Sequence, residues 1–182
     1  VGPGNVPVFI EQTANVKDAV GKIVEGKCFD NGTICSSEQA VVVEHGIKDL
    51  ALSEFARMGG YLLSLEEQEL LARLVVINGG LNPEIVGKSA LTIAQMAGLK
   101  VPPDTRVLLA TLDGVGKGYP LSMEKLSPIL AFYSVSTWQD GLQRCIELLN
   151  FGGLGHTAVI HSNNEKVIRE FALQVPASRI LV

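Results

Sequence analysis

Six short apolar runs punctuate the chain: Val6 to Ile10, Ala40 to Val43, Val107 to Leu112, Ile129 to Val135, Thr157 to Ile160, and Arg179 to Val182. They are continuous rather than alternating, the pattern of strands covered on both faces of a parallel sheet. Between them the apolar residues fall at helical spacing. Val16, Ala19, Val20, Ile23 and Val24 share one face of a helix opened by Asn15, with Asp18 three residues on as its capping partner. Ser64 with Glu67 opens a second helix carrying Leu70, Leu71, Leu74 and Val75, and Thr137 with Asp140 opens a third with the stripe Trp138, Leu142, Cys145, Ile146 and Leu149. A fourth, entered at Asn163 or Asn164, carries Val167, Ile168, Phe171 and Ala172. Strands separated by helices require crossover connections, which predicts an α/β domain of three layers, a mainly parallel sheet flanked by helices. Val101 to Asp104 and Asp113 to Pro120 read as loops by composition, and neither reads as a domain linker.

Composition narrows the function classes. The 182 residues are 47 % hydrophobic and 19 % charged, which excludes intrinsic disorder as the main state. No run approaches a membrane span and the N-terminus has no basic, cleavable leader, so a soluble, cytoplasmic protein is expected. A net charge of −4 without a basic cluster removes the footprint of a nucleic-acid or anionic-membrane binder and favours a small-molecule function. Three cysteines, Cys28, Cys35 and Cys145, are too few and too unevenly spaced for a disulfide framework. The start at Val1 without a methionine and the apolar end at Ile180, Leu181 and Val182 suggest a piece of a longer protein.

Candidate chemistry centres on Cys35. Asp30, Asn31 and Gly32 supply tight-turn chemistry, so Cys35 sits just after a turn. If Ser36 or Ser37 starts a helical turn, Cys35 lies at a helix N-terminus, where free amides and the dipole favour a thiolate. From position alone a free cysteine reads first as a small buried hydrophobe, and Cys145, on a helical apolar stripe, reads as core. Gly114 to Gly118 has phosphate-loop composition without the spacing and reads as a surface loop. Gly152, Gly153 and Gly155 are expected to end the preceding helix and let the backbone approach a cleft. His156 and His161, five apart on one strand, point to opposite faces, and with His45 remote no metal site is expected.

The segment FDNGTICSSEQAVVVE resembles the active-site cysteine segment of the CoA-acylating aldehyde dehydrogenases, a branch of the aldehyde dehydrogenase superfamily. The family pattern GNxPxxIxxTAxxxxAxxxIxxSKxFDNGxICxSEQ is met at Gly4, Asn5, Pro7, Thr13, Ala14, Ala19, Ile23, Lys27, Phe29 to Gly32, Ile34, Cys35 and Ser37 to Gln39. Glu124 to Leu130 is similar to the family's EKLSPxL, and Gly155 to Ser162 to its GHTAxIHS, followed by Ala177 to Ile180. The resemblance covers the whole chain in order and corresponds to the catalytic, cysteine-bearing domain of a longer protein, residues 1–182, with the dinucleotide-binding domain absent.

That resemblance implies a mechanism. Cys35 attacks a short-chain aldehyde to give a thiohemiacetal, hydride passes to NAD, and the acyl-thioester on Cys35 is released by the thiol of coenzyme A. It further implies that the Cys35 amide helps hold the oxyanion, that Glu124 engages the nicotinamide ribose, and that His156 takes a proton from the CoA thiol or stabilises the Cys35 thiolate, unless it is a strand-edge histidine satisfied by backbone. Val1 falls where hydrolytic members carry the glutamate base for the deacylating water, which favours acylation over hydrolysis. The alternatives are a hydrolytic or semialdehyde-specific dehydrogenase of the same superfamily, or a non-catalytic assembly module with this fold. A homo-oligomer is expected for the full-length protein, in the cytoplasm or inside a bacterial microcompartment. Part of the apolar fraction is expected to be exposed in the chain by itself.

Overall fold

The computed structural model describes residues 2–182, so the expectation placed on Val1 lies outside the described residues. In chain order the elements are β1 (Val6–Ile10), α1 (Val16–Cys28), β2 (Glu38–Glu44), α2 (Lys48–Arg57), β3 (Gly60–Leu62), α3 (Leu65–Val75), β4 (Val76–Ile77), β5 (Gly80–Leu81), α4 (Ala90–Met96), β6 (Val107–Thr111), β7 (Ile129–Val135), α5 (Trp138–Gly152), β8 (Gly155–His161), α6 (Glu165–Gln174) and β9 (Ala177–Leu181). Seven strands form one parallel sheet in the order β3-β6-β7-β2-β1-β8-β9, and β4 and β5 make a separate antiparallel pair.

The continuous apolar runs exist because alternate residues serve opposite layers. Val8, Ile10, Val41, Val43, Leu109 and Phe132 face α1 and α2, against Val20, Ile23 and Phe55. Phe9, Ala40, Val42, Ala131 and Ile160 face α5 and α6, against Leu142, Cys145, Leu149 and Phe171. Toward the β3 edge, Leu108, Ala110 and Ile129 pack instead on α3 and α4. Three layers and a parallel sheet therefore form as the sequence predicts. Pro7 is tolerated in the central strand β1 because it lies at the register irregularity between Val6 and Pro7, and pairing with β8 begins only at Val8.

The predicted caps form. Asn15 accepts from the Asp18 N–H, and reciprocal capping boxes join Ser64 to Glu67 and Thr137 to Asp140. The last helix is capped by Asn164, while Asn163 donates from Nδ2 to the Thr13 carbonyl at 2.7 Å. The stripe of α3 differs from expectation, because Gln68, Leu71 and Val75 are buried whereas Leu70 faces outward. Gln68 is admitted because its amide donates to the Leu63 carbonyl at 3.2 Å. No helix is long and apolar enough to cross a membrane among the described residues. Phe29, Leu65, Leu154 and Leu173 are 65, 77, 67 and 70 % exposed, so part of the apolar fraction does face outward.

Candidate active site

Cys35 is not at a helix N-terminus. It lies in a turn closed by the Ser37 N–H donating to the Ile34 carbonyl at 2.9 Å, and β2 begins one residue later. The reason is local. Asp30, Asn31 and Gly32 take left-handed φ of 48, 50 and 74° in succession, locked by Asn31 Nδ2 donating to the Gly87 carbonyl (2.9 Å) and by Thr33 Oγ1 donating to Asp30 Oδ2 (2.7 Å). This reverses the chain so sharply that one further turn delivers it to β2, where Glu38 is already paired with Val6. No room is left for a helix, and no helix dipole acts on the thiol.

Cys35 is nonetheless the accessible cysteine. Cys145 is fully buried on α5, where burial pushes its thiol pKa up, and half-buried Cys28 is pushed up by the same cause. Among the described residues no backbone carbonyl accepts from the Cys35 amide. The thiol opens on a cavity of about 420 Å³ whose walls include Pro3, Cys35, Leu154, His156, Ser178 and Arg179.

Gly4 joins the three predicted site residues. Its N–H donates to Glu124 Oε1 at 2.9 Å, and a Cβ at this position would stand 2.0 Å from the Cys35 carbonyl oxygen and 3.2 Å from His156 Cε1. Only a glycine backbone fits into that gap, so the strand entering β1 is wedged between the Cys35 peptide and the imidazole. His156, half-buried at the start of β8, bonds through Nδ1 to Thr157 Oγ1 at 3.1 Å.

Asn5 anchors the wedge from behind. Fully buried, it donates from Nδ2 to the Ser122 carbonyl (2.9 Å) and the Leu148 carbonyl (3.0 Å), tying β1 to α5 and to the segment that carries Glu124. At the end of α5, a Cβ on Gly153 would meet the Asn5 nitrogen at 2.6 Å, so the glycine run ends the helix and permits the close approach expected of it. The site thus collects at the amino ends of β1, β2, β7 and β8, whereas open parallel sheets more often place ligands at the carboxyl ends.

A polar layer lies beneath. Lys27 and Lys125 are both fully buried, and burial pulls both amines down, Lys27 to about 7. Lys125 Nζ donates to the carbonyls of Leu121 (2.9 Å) and Met123 (2.6 Å), and its N–H donates to Gln39 Oε1 (3.0 Å). Reading single residues missed the wedging of Gly4, the anchoring of Asn5 and the burial of Lys27. The available signal was their place in the quoted family pattern, which marks positions but not contacts.

The other candidates disperse. His161 is at the far end of β8, beside Asp18 and Lys22 in a separate cavity, and burial lowers its pKa. His45 bonds to Ser134. Among the described residues no three His, Cys, Asp or Glu side chains are grouped to hold a metal ion. Gly114 lies under the Tyr119 ring, in a loop followed only by the short 3-10 turn Pro120–Ser122.

An accessible thiol, an imidazole and a carboxylate gather around Gly4 at the amino ends of inner strands of a three-layer α/β domain with a parallel sheet. No protein-family model matches the chain. It is 43 % identical over 166 residues to the aldehyde-alcohol dehydrogenase of Clostridium acetobutylicum, covering 91 % of this chain and 19 % of that protein. The crystal structure of an acetylating aldehyde dehydrogenase from Geobacillus thermoglucosidasius superposes with a TM-score of 0.98 at 48 % identity, over all of this chain and 40 % of that one. A propionaldehyde dehydrogenase of Rhodopseudomonas palustris, solved with bound CoA and an acylated cysteine, superposes at 0.87 with 27 % identity over 99 % and 41 %. Over its full length the chain is similar to acylating aldehyde dehydrogenases. It spans about a fifth of the aldehyde-alcohol dehydrogenase and two fifths of the solved enzymes.

Proposed function

We propose that residues 1–182 are the cysteine-bearing domain of an enzyme that converts a short-chain aldehyde to its acyl-CoA, and back, with the dinucleotide-binding domain elsewhere in a longer chain. The observation that carries this reading is the Gly4 wedge, which holds the exposed Cys35, His156 and Glu124 around one backbone position.

The residues present fit a nicotinamide dinucleotide. Glu124 gives one carboxylate oxygen to Gly4 and keeps Oε2 for a ribose hydroxyl, and Gly155 leaves the cavity wall beside Cys35 without a side chain to obstruct a flat ring. When bound, that group supplies the hydride acceptor. The Cys35 thiolate attacks the aldehyde carbon, forming the carbon–sulfur bond and an oxyanion within reach of the Cys35 amide, a kind of donor that contributes about 3 to 4 kcal/mol where it meets developing charge. Loss of hydride from that carbon leaves a thioester on Cys35. His156, whose Nδ1 is fixed by Thr157, takes the proton of the CoA thiol through Nε2. The resulting thiolate attacks the acyl carbon, and the Cys35 thiolate departs.

The test uses the full-length enzyme. NAD reduction by a short aldehyde should require CoA, should yield acyl-CoA, and should vanish in Cys35→Ala. Iodoacetamide near neutral pH should label Cys35 faster than Cys145. Undiminished turnover in Cys35→Ala refutes the reading, and a carboxylic acid as the sole product selects a hydrolytic enzyme instead.

A further inference from the structure

Two hydrogen-bonded bridges join the turn that carries Cys35 to the segment that carries Glu124. The first is Gln39, fully buried as the second residue of β2. It accepts at Oε1 from the Lys125 N–H (3.0 Å) and donates from Nε2 to the Ser37 carbonyl (3.4 Å). One side chain thus spans from the peptide that follows Glu124 to the last residue of the turn around Cys35. The second bridge runs through Gly87, in the loop before α4. Its carbonyl accepts from Asn31 Nδ2 at 2.9 Å, and its N–H donates to the Leu126 carbonyl at 3.1 Å.

The segment held in this way needs outside support. Leu126, two residues after Glu124, takes a left-handed φ of 46°, which a residue with a branched side chain keeps only where its surroundings over-determine it. The two bridges supply that support, at the Lys125 N–H and at the Leu126 carbonyl. Gly32 closes the gap between turn and segment, since a Cβ there would stand 3.1 Å from the Ser127 carbonyl oxygen. On the other side of Glu124, Asn5 holds the Ser122 carbonyl and the Lys125 ammonium holds those of Leu121 and Met123. A methionine at position 39 would fill the same space but leave the buried Lys125 N–H without its acceptor, so packing alone does not explain the glutamine.

We propose that Gln39 and Asn31 are positioning residues for Glu124: together they fix the carboxylate-bearing segment against the Cys35 turn, and so set the affinity of the site for the nicotinamide ribose. The inference rests on the reading of Glu124 as the ribose contact. Both side chains act at one remove, Gln39 on the peptide that follows Glu124 and Asn31 through Gly87 on Leu126. Their influence on the cofactor therefore exists only while the Glu124 carboxylate is there to transmit it.

The experiment is a double-mutant cycle, read by calorimetric titration of NAD into the full-length enzyme as wild type, Gln39→Met, Glu124→Ala and the two combined. Gln39→Met should weaken NAD binding about tenfold, within the range found for residues coupled in one hydrogen-bond network. Added to Glu124→Ala, it should weaken binding no further. Asn31→Gly keeps the left-handed backbone and removes only the bond to Gly87, and it should behave in the same way. A merely structural glutamine would lower the melting temperature and leave NAD affinity as in the wild type, or would add its full effect to that of Glu124→Ala. Either result overturns the proposal. Should Gln39→Met not fold, the same cycle with Asn31→Gly decides by the same two criteria. If Glu124→Ala alone leaves NAD affinity unchanged, the ribose reading of Glu124 falls and takes the inference with it. If Glu124→Ala weakens binding and neither Gln39→Met nor Asn31→Gly does, the inference falls by itself.

Discussion

Gly4→Ala adds a single methyl group at the point where the strand entering β1 passes Cys35. The added carbon would start 2.0 Å from the Cys35 carbonyl oxygen, against a floor of 3.0 Å for real Cβ contacts, and also 3.2 Å from His156 Cε1. Both neighbours are constrained. The Cys35 carbonyl belongs to a turn pinned by Asp30, Asn31 and Gly32, and Asn5 next to Gly4 is held by two buried hydrogen bonds. A displacement of about 1 Å is therefore forced on the Cys35 peptide or on the strand. Overpacking of this kind costs about 1 to 3 kcal/mol. The effect on turnover should be larger, because a misplacement of about 1 Å at a reacting group can cost about 100-fold. Calorimetric melting and the rate of Cys35 alkylation by iodoacetamide, both on the full-length enzyme, measure the two effects separately. If Gly4→Ala melts and alkylates like the wild type, the wedge does not exist as described.

Three further outcomes are expected. Asn5→Ala strands the Ser122 and Leu148 carbonyls in a buried setting and should destabilise by about 1 to 3 kcal/mol in denaturant unfolding; a change too small to detect would deny Asn5 its anchoring role. His156→Ala should slow release of the acyl group to CoA more than formation of the acyl-enzyme, a split that single-turnover kinetics resolves and that equal slowing of both steps would contradict. Lys27 binds its proton with a pKa of about 7 in the fold and 10.5 when unfolded, so between those values the unfolded chain holds more protons and stability rises with pH. This group should add up to about 1.4 kcal/mol per pH unit above neutrality, a slope that unfolding at several pH values would show in the wild type and not in Lys27→Met.

The layers of the fold are legible in the sequence because burial on both faces leaves runs such as Val41 to Val43 and Ile129 to Phe132 with no polar residue to interrupt them. The helices with capping residues are equally plain, since Ser64 with Glu67 and Thr137 with Asp140 satisfy their own free amides locally. Helix α2 escapes notice because it buries only Ala51 and Phe55 within a charged stretch, and β3 because three half-exposed residues carry no periodicity. Leu70 misleads because α3 rolls toward Gln68, whose amide finds a backbone partner. At the site, Cys35, Glu124 and His156 are marked by the quoted motifs, but that they meet around Gly4 depends on pairings across more than a hundred residues. The helical turn that would have put Cys35 at a helix N-terminus does not form, for a conformational reason, three successive left-handed residues, that composition suggests only as a turn.

The neighbours of β1 in the sheet are β2, which follows it closely, and β8, which lies some 150 residues on. Cys35 and Gly4 can therefore come together early, while His156 arrives only when nearly the whole domain has been made and β8 has docked. Long-range parallel pairing of this kind is slow to form. During synthesis Cys35 is made long before His156, and the docking of β8 on β1 is what brings that imidazole to Gly4.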